Sequence, residues 1–135
     1  MARIGRMLKT HPHPAGSDGD VALACIEACF DCAEVCTVCA DACLAEANVQ
    51  QLVNCIRMNL DCADICAVTG RLFARPSHRD AETLRHQLEA CARVCRSCAE
   101  ECARHGEHME HCRICAEACR KCADACEAMI KALVP

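Results

Sequence analysis

The chain of 135 residues carries 18 cysteines, and they fall in a fixed rhythm. Cys25, Cys29, Cys32, Cys36, Cys39 and Cys43 alternate four-residue and three-residue steps. Cys91, Cys95, Cys98 and Cys102 repeat the rhythm, as do Cys112, Cys115, Cys119, Cys122 and Cys126. Cys55, Cys62 and Cys66 form a sparser set, with Met58 or Asn59 at the missing step. Side chains three and four residues apart share one helix face, about 5–6 Å between Cβ atoms. Each run is therefore a heptad seam, with thiols where Leu or Ile would ordinarily stand. Four such seams turned inward make a thiol-lined tube. Thiolates select soft ions: Cu(I), Zn(II) or iron–sulfur clusters.

Charge discriminates among them. A four-thiolate zinc site keeps a net charge of −2, and several buried dianions would be strongly unfavourable. Cu(I) at about one ion per thiolate leaves the core near neutral, and it accepts two or three sulfurs. Iron–sulfur clusters usually draw their cysteines from loops, not from long helical seams. As plain small hydrophobes, Cys and Ala would underfill a bundle, at about 1 kcal/mol for each methyl-sized void. Disulfides within a helix are opposed by geometry, because sulfurs on consecutive turns rarely reach the required torsion.

The elements that must carry these seams are helices. A tail is expected over residues 1–17, where His11, Pro12, His13, Pro14 and Gly16 cannot continue a helix. Four helices are predicted, over about residues 18–47, 48–74, 78–105 and 107–133. Asn48 with Gln51 marks one start, and Pro76 follows the end of that helix. Gly106 reads as a left-handed C-terminal residue. Short connections make successive helices antiparallel neighbours. The fold class is thus all-α, an up-down four-helix bundle with a cysteine-lined core.

Composition agrees and excludes alternatives. Cysteine is about 13% of the chain, beyond the roughly 8–10% that marks a cysteine-dominated chain. Leu, Ile, Val and Phe together are only about 19%, too few for an ordinary core. The net charge is −4, with no basic block and only two aromatic residues, so nucleic-acid binding is not expected. No apolar run approaches the roughly 18 residues of a membrane span. Residues 1–20 lack the apolar stretch of a signal peptide, and Arg3 and Arg6 are not adjacent. The expected compartment is the cytoplasm, where thiols stay reduced.

The two ends of the tube should differ. One gathers Cys43, Cys55, Cys102, His105, His108 and Cys112. Imidazole holds Cu(I) less tightly than thiolate, so His105 and His108 are candidate entry ligands. His111 and Met109 lie off the seam and are weighed against that role. Met58 is left open, Met129 reads as core, and His11 and His13 as tail. The opposite end turns apolar through Val21, Phe73, Leu84, Leu88, Met129 and Leu133, with His78 and His86 near it on the surface. Outside the tube, Leu23, Phe30, Val38, Leu44, Val53 and Leu60 form a second apolar face. Self-association would cover it. So would the first residues, through Ile4, Met7 and Leu8.

The six-cysteine run from Cys25 to Cys43 and the five-cysteine run from Cys112 to Cys126 resemble the bacterial copper storage proteins. The resemblance spans about Asp18 to Leu133 and is to the cytosolic branch. It implies a four-helix bundle that assembles as a tetramer, stores many Cu(I) ions and has His at its open mouth. By position, His105 and His108 match that mouth best. All eighteen cysteines become expected ligands. A copper donor or acceptor, either a chaperone or a small thiol, is the implied partner. Nothing in the sequence resembles a catalytic base or a substrate pocket, so no enzyme is expected. The rivals are a zinc or general soft-metal buffer and a thiol-redox or iron–sulfur protein using pairs such as Cys29 and Cys32.

Overall fold

The computed structural model describes residues 2–14, 16, 18–77 and 79–133. His78, Ser17 and Pro135 lie outside the described residues. The elements are α1 (Ala2–Lys9), α2 (Gly19–Leu44), a short 3-10 helix (Val49–Leu52), α3 (Val53–Phe73), α4 (Ala81–His105) and α5 (Glu110–Ala132). No strand occurs among the described residues. Helices α2 to α5 close a ring: α2 packs on α3, α3 on α4, α4 on α5, and α5 back on α2. Each seam thereby faces the axis.

All eighteen cysteines are buried, none more than 1% exposed. Buried alanines flank them: Ala22, Ala28, Ala40, Ala63, Ala92, Ala99, Ala116 and Ala123. Their small size lets the helices approach closely while the thiols fill the axis. Gly70 serves the same end, since a Cβ there would stand 2.8 Å from the Phe30 ring.

Three local expectations are revised. Where a tail is expected, residues 2–9 form α1, whose Ile4 and Leu8 are half-buried on the core. Gly5 lets α1 close on Leu23, because a Cβ there would meet the Leu23 methyl at 3.1 Å. The predicted helix from residue 48 begins as the 3-10 segment; Asn48 bonds the Gln51 side chain at 3.4 Å, with no side-chain cap on a backbone amide. Gly106 has φ −65° and ψ −25°, so it is not left-handed. Its small size matters for another reason: a Cβ would stand 3.4 Å from the Cβ of Arg113, where α5 turns back on α4.

One end of the tube is sealed by Phe73, Leu84, Leu88 and Met129, all buried. Arg79 lies across this plug, its guanidinium 5.3 Å from the Phe73 ring centroid and donating to the Phe73 carbonyl at 3.1 Å. Part of the outer apolar face is covered within the chain, Leu23 by α1 and Phe30 by Gly70. Val38, Leu44, Val53 and Leu60 remain exposed, as do Val68, Ile114 and Met7.

Candidate metal store

The heptad seams bring thiols from all four helices into groups whose ligand atoms lie within 4.8 Å of one another. Nearest the plug are Cys29, Cys91, Cys122 and Cys126. Next come Cys32, Cys66, Cys95 and Cys122, then Cys32, Cys36, Cys62 and Cys119, then Cys36, Cys98, Cys115 and Cys119. Consecutive groups share members: Cys122, then Cys32, then Cys36 with Cys119. Cys25 joins the lowest group through Cys29 at 4.0 Å. The closest sulfurs are Cys66 and Cys95 at 3.4 Å, and Cys36 and Cys119 at 3.6 Å. Such overlap suits ions bridged by shared thiolates better than separate tetrahedral sites, each of which needs four thiolates of its own.

The empty seam step in α3 is filled by Asn59, which is fully buried. Its Oδ1 accepts from the thiols of Cys98, Cys102 and Cys115 at 3.1, 3.3 and 3.4 Å. Its Nδ2 donates to Cys55 at 3.8 Å, and Cys55 lies 3.7 Å from Cys102. The amide thus substitutes for a thiol and completes the lining with an oxygen and a nitrogen. The spacing from Cys55 through Asn59 to Cys62 carries the signal for this placement.

At the mouth, Cys39, Cys43 and Cys112 meet His111. Its Nδ1 is 3.4 Å from Cys39 Sγ and 3.6 Å from Cys112 Sγ, and its Nε2 is 2.9 Å from a Glu46 oxygen. The structure therefore brings His111, which the heptad frame places off the seam, into the thiol group. The ring reaches back from the first turn of α5, and its adjacency to Cys112 is the only sequence sign. His105 continues the α4 seam in register, but its Nε2 lies 3.1 Å from Glu101. Glu101 is buried, and also accepts from Arg104 at 2.8 Å and Asn54 at 3.1 Å. His108 is exposed, in the turn where its backbone amide bonds the His105 carbonyl at 3.2 Å. Neither ring is grouped with thiols in the contacts described: the His105 ring is held by Glu101, and His108 lies in the turn beyond the end of α4.

The methionines divide similarly. Met129 is part of the plug, and Met109 is buried at the start of α5. Met58 is half-buried, its sulfur accepting from Asn54 at 3.6 Å. His11 lines a cavity at the plugged end with Arg79 and Leu84, and its Nδ1 accepts from the His13 amide at 2.9 Å. His86 is exposed on α4 beside Glu89.

Burial governs the protonation of the upper thiols. It pushes Cys43 up to about 12, with the charge of Cys39 adding to the shift, and raises Cys112 for the same reasons. Cys39 is lowered instead, chiefly by hydrogen bonds from Cys102 and Cys115. Deeper, bonds from Cys126 and Cys29 bring Cys25 down to about 5. Burial works against charge on His111, but its bonds to Cys39 and Glu46 outweigh it, and its pKa is raised. An entering cation displaces thiol protons as it binds.

Comparison with known proteins accords with this geometry. A family model described as copper storage protein matches residues 19–131. The structure of the copper storage protein Ccsp from Streptomyces lividans, loaded with 10 copper equivalents, superposes with a TM-score of 0.91 at 46% identity, covering 95% of this chain and 98% of that one. The same organism's protein holding five coppers, described as cytosolic, gives 0.84 at 49% identity over 87% of this chain and 98% of that one. Copper storage protein 3 of Bacillus subtilis, in its apo form, gives 0.69 at 37% identity over 81% of this chain and 98% of that one. The cysteine-rich protein YhjQ of Bacillus subtilis (strain 168) is 41% identical over 93 residues, 69% of this chain and 81% of its own. With its buried thiol groups arranged for shared soft ions, the chain belongs to the copper storage protein family, and its tube is a store for many Cu(I) ions.

Proposed function

We propose that the eighteen cysteines are the ligands of this store and that copper enters at the end where His111 meets Cys39, Cys43 and Cys112. His105 and His108 stand on the rim as a first landing outside the thiol set. The ions pass inward by exchange from one shared thiolate to the next. The store serves the cytoplasm, catalyses no reaction, and receives and returns copper through a chaperone or a small thiol. It assembles as a homo-oligomer, a tetramer by its resemblance, through the exposed apolar residues of α2 and α3.

The sharing of Cys32, Cys36, Cys119 and Cys122 between groups carries this reading. Four groups draw on twelve thiols in all. Filled with Zn(II), those twelve thiolates would leave a large net negative charge in a dry core. Filled with Cu(I) at about one per thiolate, they approach neutrality. The support for cytoplasmic storage is the likeness to the Streptomyces lividans protein, which is described as cytosolic.

The test is an anaerobic titration of reduced apo-protein with Cu(I) against a competing chromogenic chelator, repeated with Zn(II). Uptake approaching one copper per cysteine is expected, with zinc displaced by copper. Saturation after one or two coppers, or zinc that copper does not displace, would overturn the reading.

A further inference from the structure

We propose that Glu46 is a positioning residue for the mouth: its carboxylate holds the Nε2–H of His111 and so leaves Nδ1 unprotonated, facing Cys39 and Cys112, ready for metal. This rests on reading His111 as a copper ligand. A carboxylate can only accept, so across the 2.9 Å contact the proton must sit on Nε2. The lone pair of the neutral ring then belongs to Nδ1, which lies 3.4 Å from Cys39 Sγ and 3.6 Å from Cys112 Sγ. A carboxylate behind an imidazole also makes the ring a better donor to a metal.

The backbone fixes Glu46 where this works. α2 ends at Leu44, and Ala45 caps it by donating to the Asp41 and Ala42 carbonyls. The Glu46 amide then donates to the Cys43 carbonyl at 3.2 Å. One tight turn therefore presents both the Cys43 sulfur and the Glu46 carboxylate, while the ring arrives from the opposing start of α5. Glu46 is about one-third exposed and belongs to no buried network, so its role is not to support the core. The other histidine–carboxylate pair at this end is built differently. Glu101 divides its oxygens among Asn54, Arg104 and His105, and the described contacts of the His105 ring include no thiol.

The experiment compares reduced full-length wild-type protein with Glu46→Ala and Glu46→Gln. Imidazole nitrogen NMR of the apo-proteins should show His111 in the Nε2–H form in wild type and in Glu46→Gln, whose amide oxygen still accepts. Glu46→Ala should mix in the Nδ1–H form. Delivery of Cu(I) from a coloured chelator complex in a stopped-flow mixer should then show the first phase about tenfold slower in Glu46→Ala, the scale of losing an orienting partner behind a metal ligand. Glu46→Gln should load close to wild type, and total capacity should be the same in all three. An unchanged tautomer in Glu46→Ala would overturn the proposal, as would a tautomer change without slower loading. His111→Ala serves as the separate control. If it loads at the wild-type rate, the mouth reading fails and the copper role of Glu46 goes with it, while the nitrogen spectra still report whether Glu46 orients the ring.

Discussion

The two ends of the tube are cut from the same heptad seams and behave as opposites. At the plugged end the seam positions become Phe73, Leu88 and Met129, fully buried, with Arg79 lying over the Phe73 ring. At the mouth the seams run out into thiols, an imidazole and two carboxylates, and the side chain of His111 is one-quarter exposed. Helix geometry is continuous through both ends, so residue type alone sets the difference. Apolar contacts close an end because Phe73 and Leu88 offer no ligand for exchange. Imidazole and carboxylate keep an end open because each can bind a cation, release it and be hydrated. On the proposed entry route, direction is a property of the two terminal layers, and changes confined to those layers should separate access from capacity.

The largest effect is expected at the plug. Phe73→Ala removes a fully buried ring and should destabilise the apo-protein by roughly 3–5 kcal/mol, as large-to-small core changes do. Thermal unfolding of the apo and copper-loaded forms would measure it. Loading should restore much of the lost stability, since ions that bind only the folded state stabilise it. Copper capacity should be unchanged, because the plug holds no thiol. A fall in capacity matching the fall in stability would mean that the plug shapes the store itself.

His111→Ala comes next and acts at the other end. The first phase of copper uptake should slow by about tenfold, while total uptake falls by no more than about one ion. Stability of the apo-protein should barely change, because the ring is near the surface. This is the mirror image of the plug variant: access lost and stability kept. Both effects appearing in one variant would erase the contrast between the ends.

A pH series tests the upper thiols. An unperturbed cysteine titrates near 9.0 and Cys43 near 12 in the fold. Between those values the unfolded chain gives up its proton while the folded chain keeps it. The stabilisation from keeping Cys43 protonated is therefore fully present below about pH 9 and is lost as the pH rises toward about 12. Denaturant unfolding of reduced apo-protein across that range should show stability declining. Copper binding should run the opposite way, strengthening as pH rises, because each ion displaces thiol protons.

What the sequence discloses here follows from what a heptad can encode. The inward line of cysteines is legible because one period of 3.5 residues governs each helix, so Cys25 and Cys43 predict one another's direction. Asn59 is equally legible in hindsight, since it stands at the vacant step between Cys55 and Cys62. His111 is not, because it is off the stripe and enters the thiol group only where the first turn of α5 meets the end of α2 and Glu46. That pairing spans residues 65 apart in sequence, and no local pattern records it. Helix α1 escapes for a simpler reason: the Pro and Gly residues after Lys9 mark a break but say nothing of the segment before it. There Ile4 and Leu8 are one turn apart, enough to lay a short helix against Leu23.

The smallest expected effect concerns the rim, and it sharpens what the mouth is. His105 and His108 share the end with His111 but have different surroundings. His108 is exposed with no thiol in its described contacts, so as an outer landing its loss in His108→Ala should slow the first phase of loading least of the three, with capacity and stability unchanged. His105→Ala removes one of three donors to the buried Glu101 and leaves Arg104 and Asn54 in place. A modest loss of apo stability should follow, with loading slowed less than in His111→Ala. Chelator-competition kinetics on the three single variants would rank them. If His105→Ala proves as slow as His111→Ala, the polar cluster around Glu101 is part of the entrance, and copper meets two imidazoles on neighbouring helices of the mouth before it meets a full set of thiols.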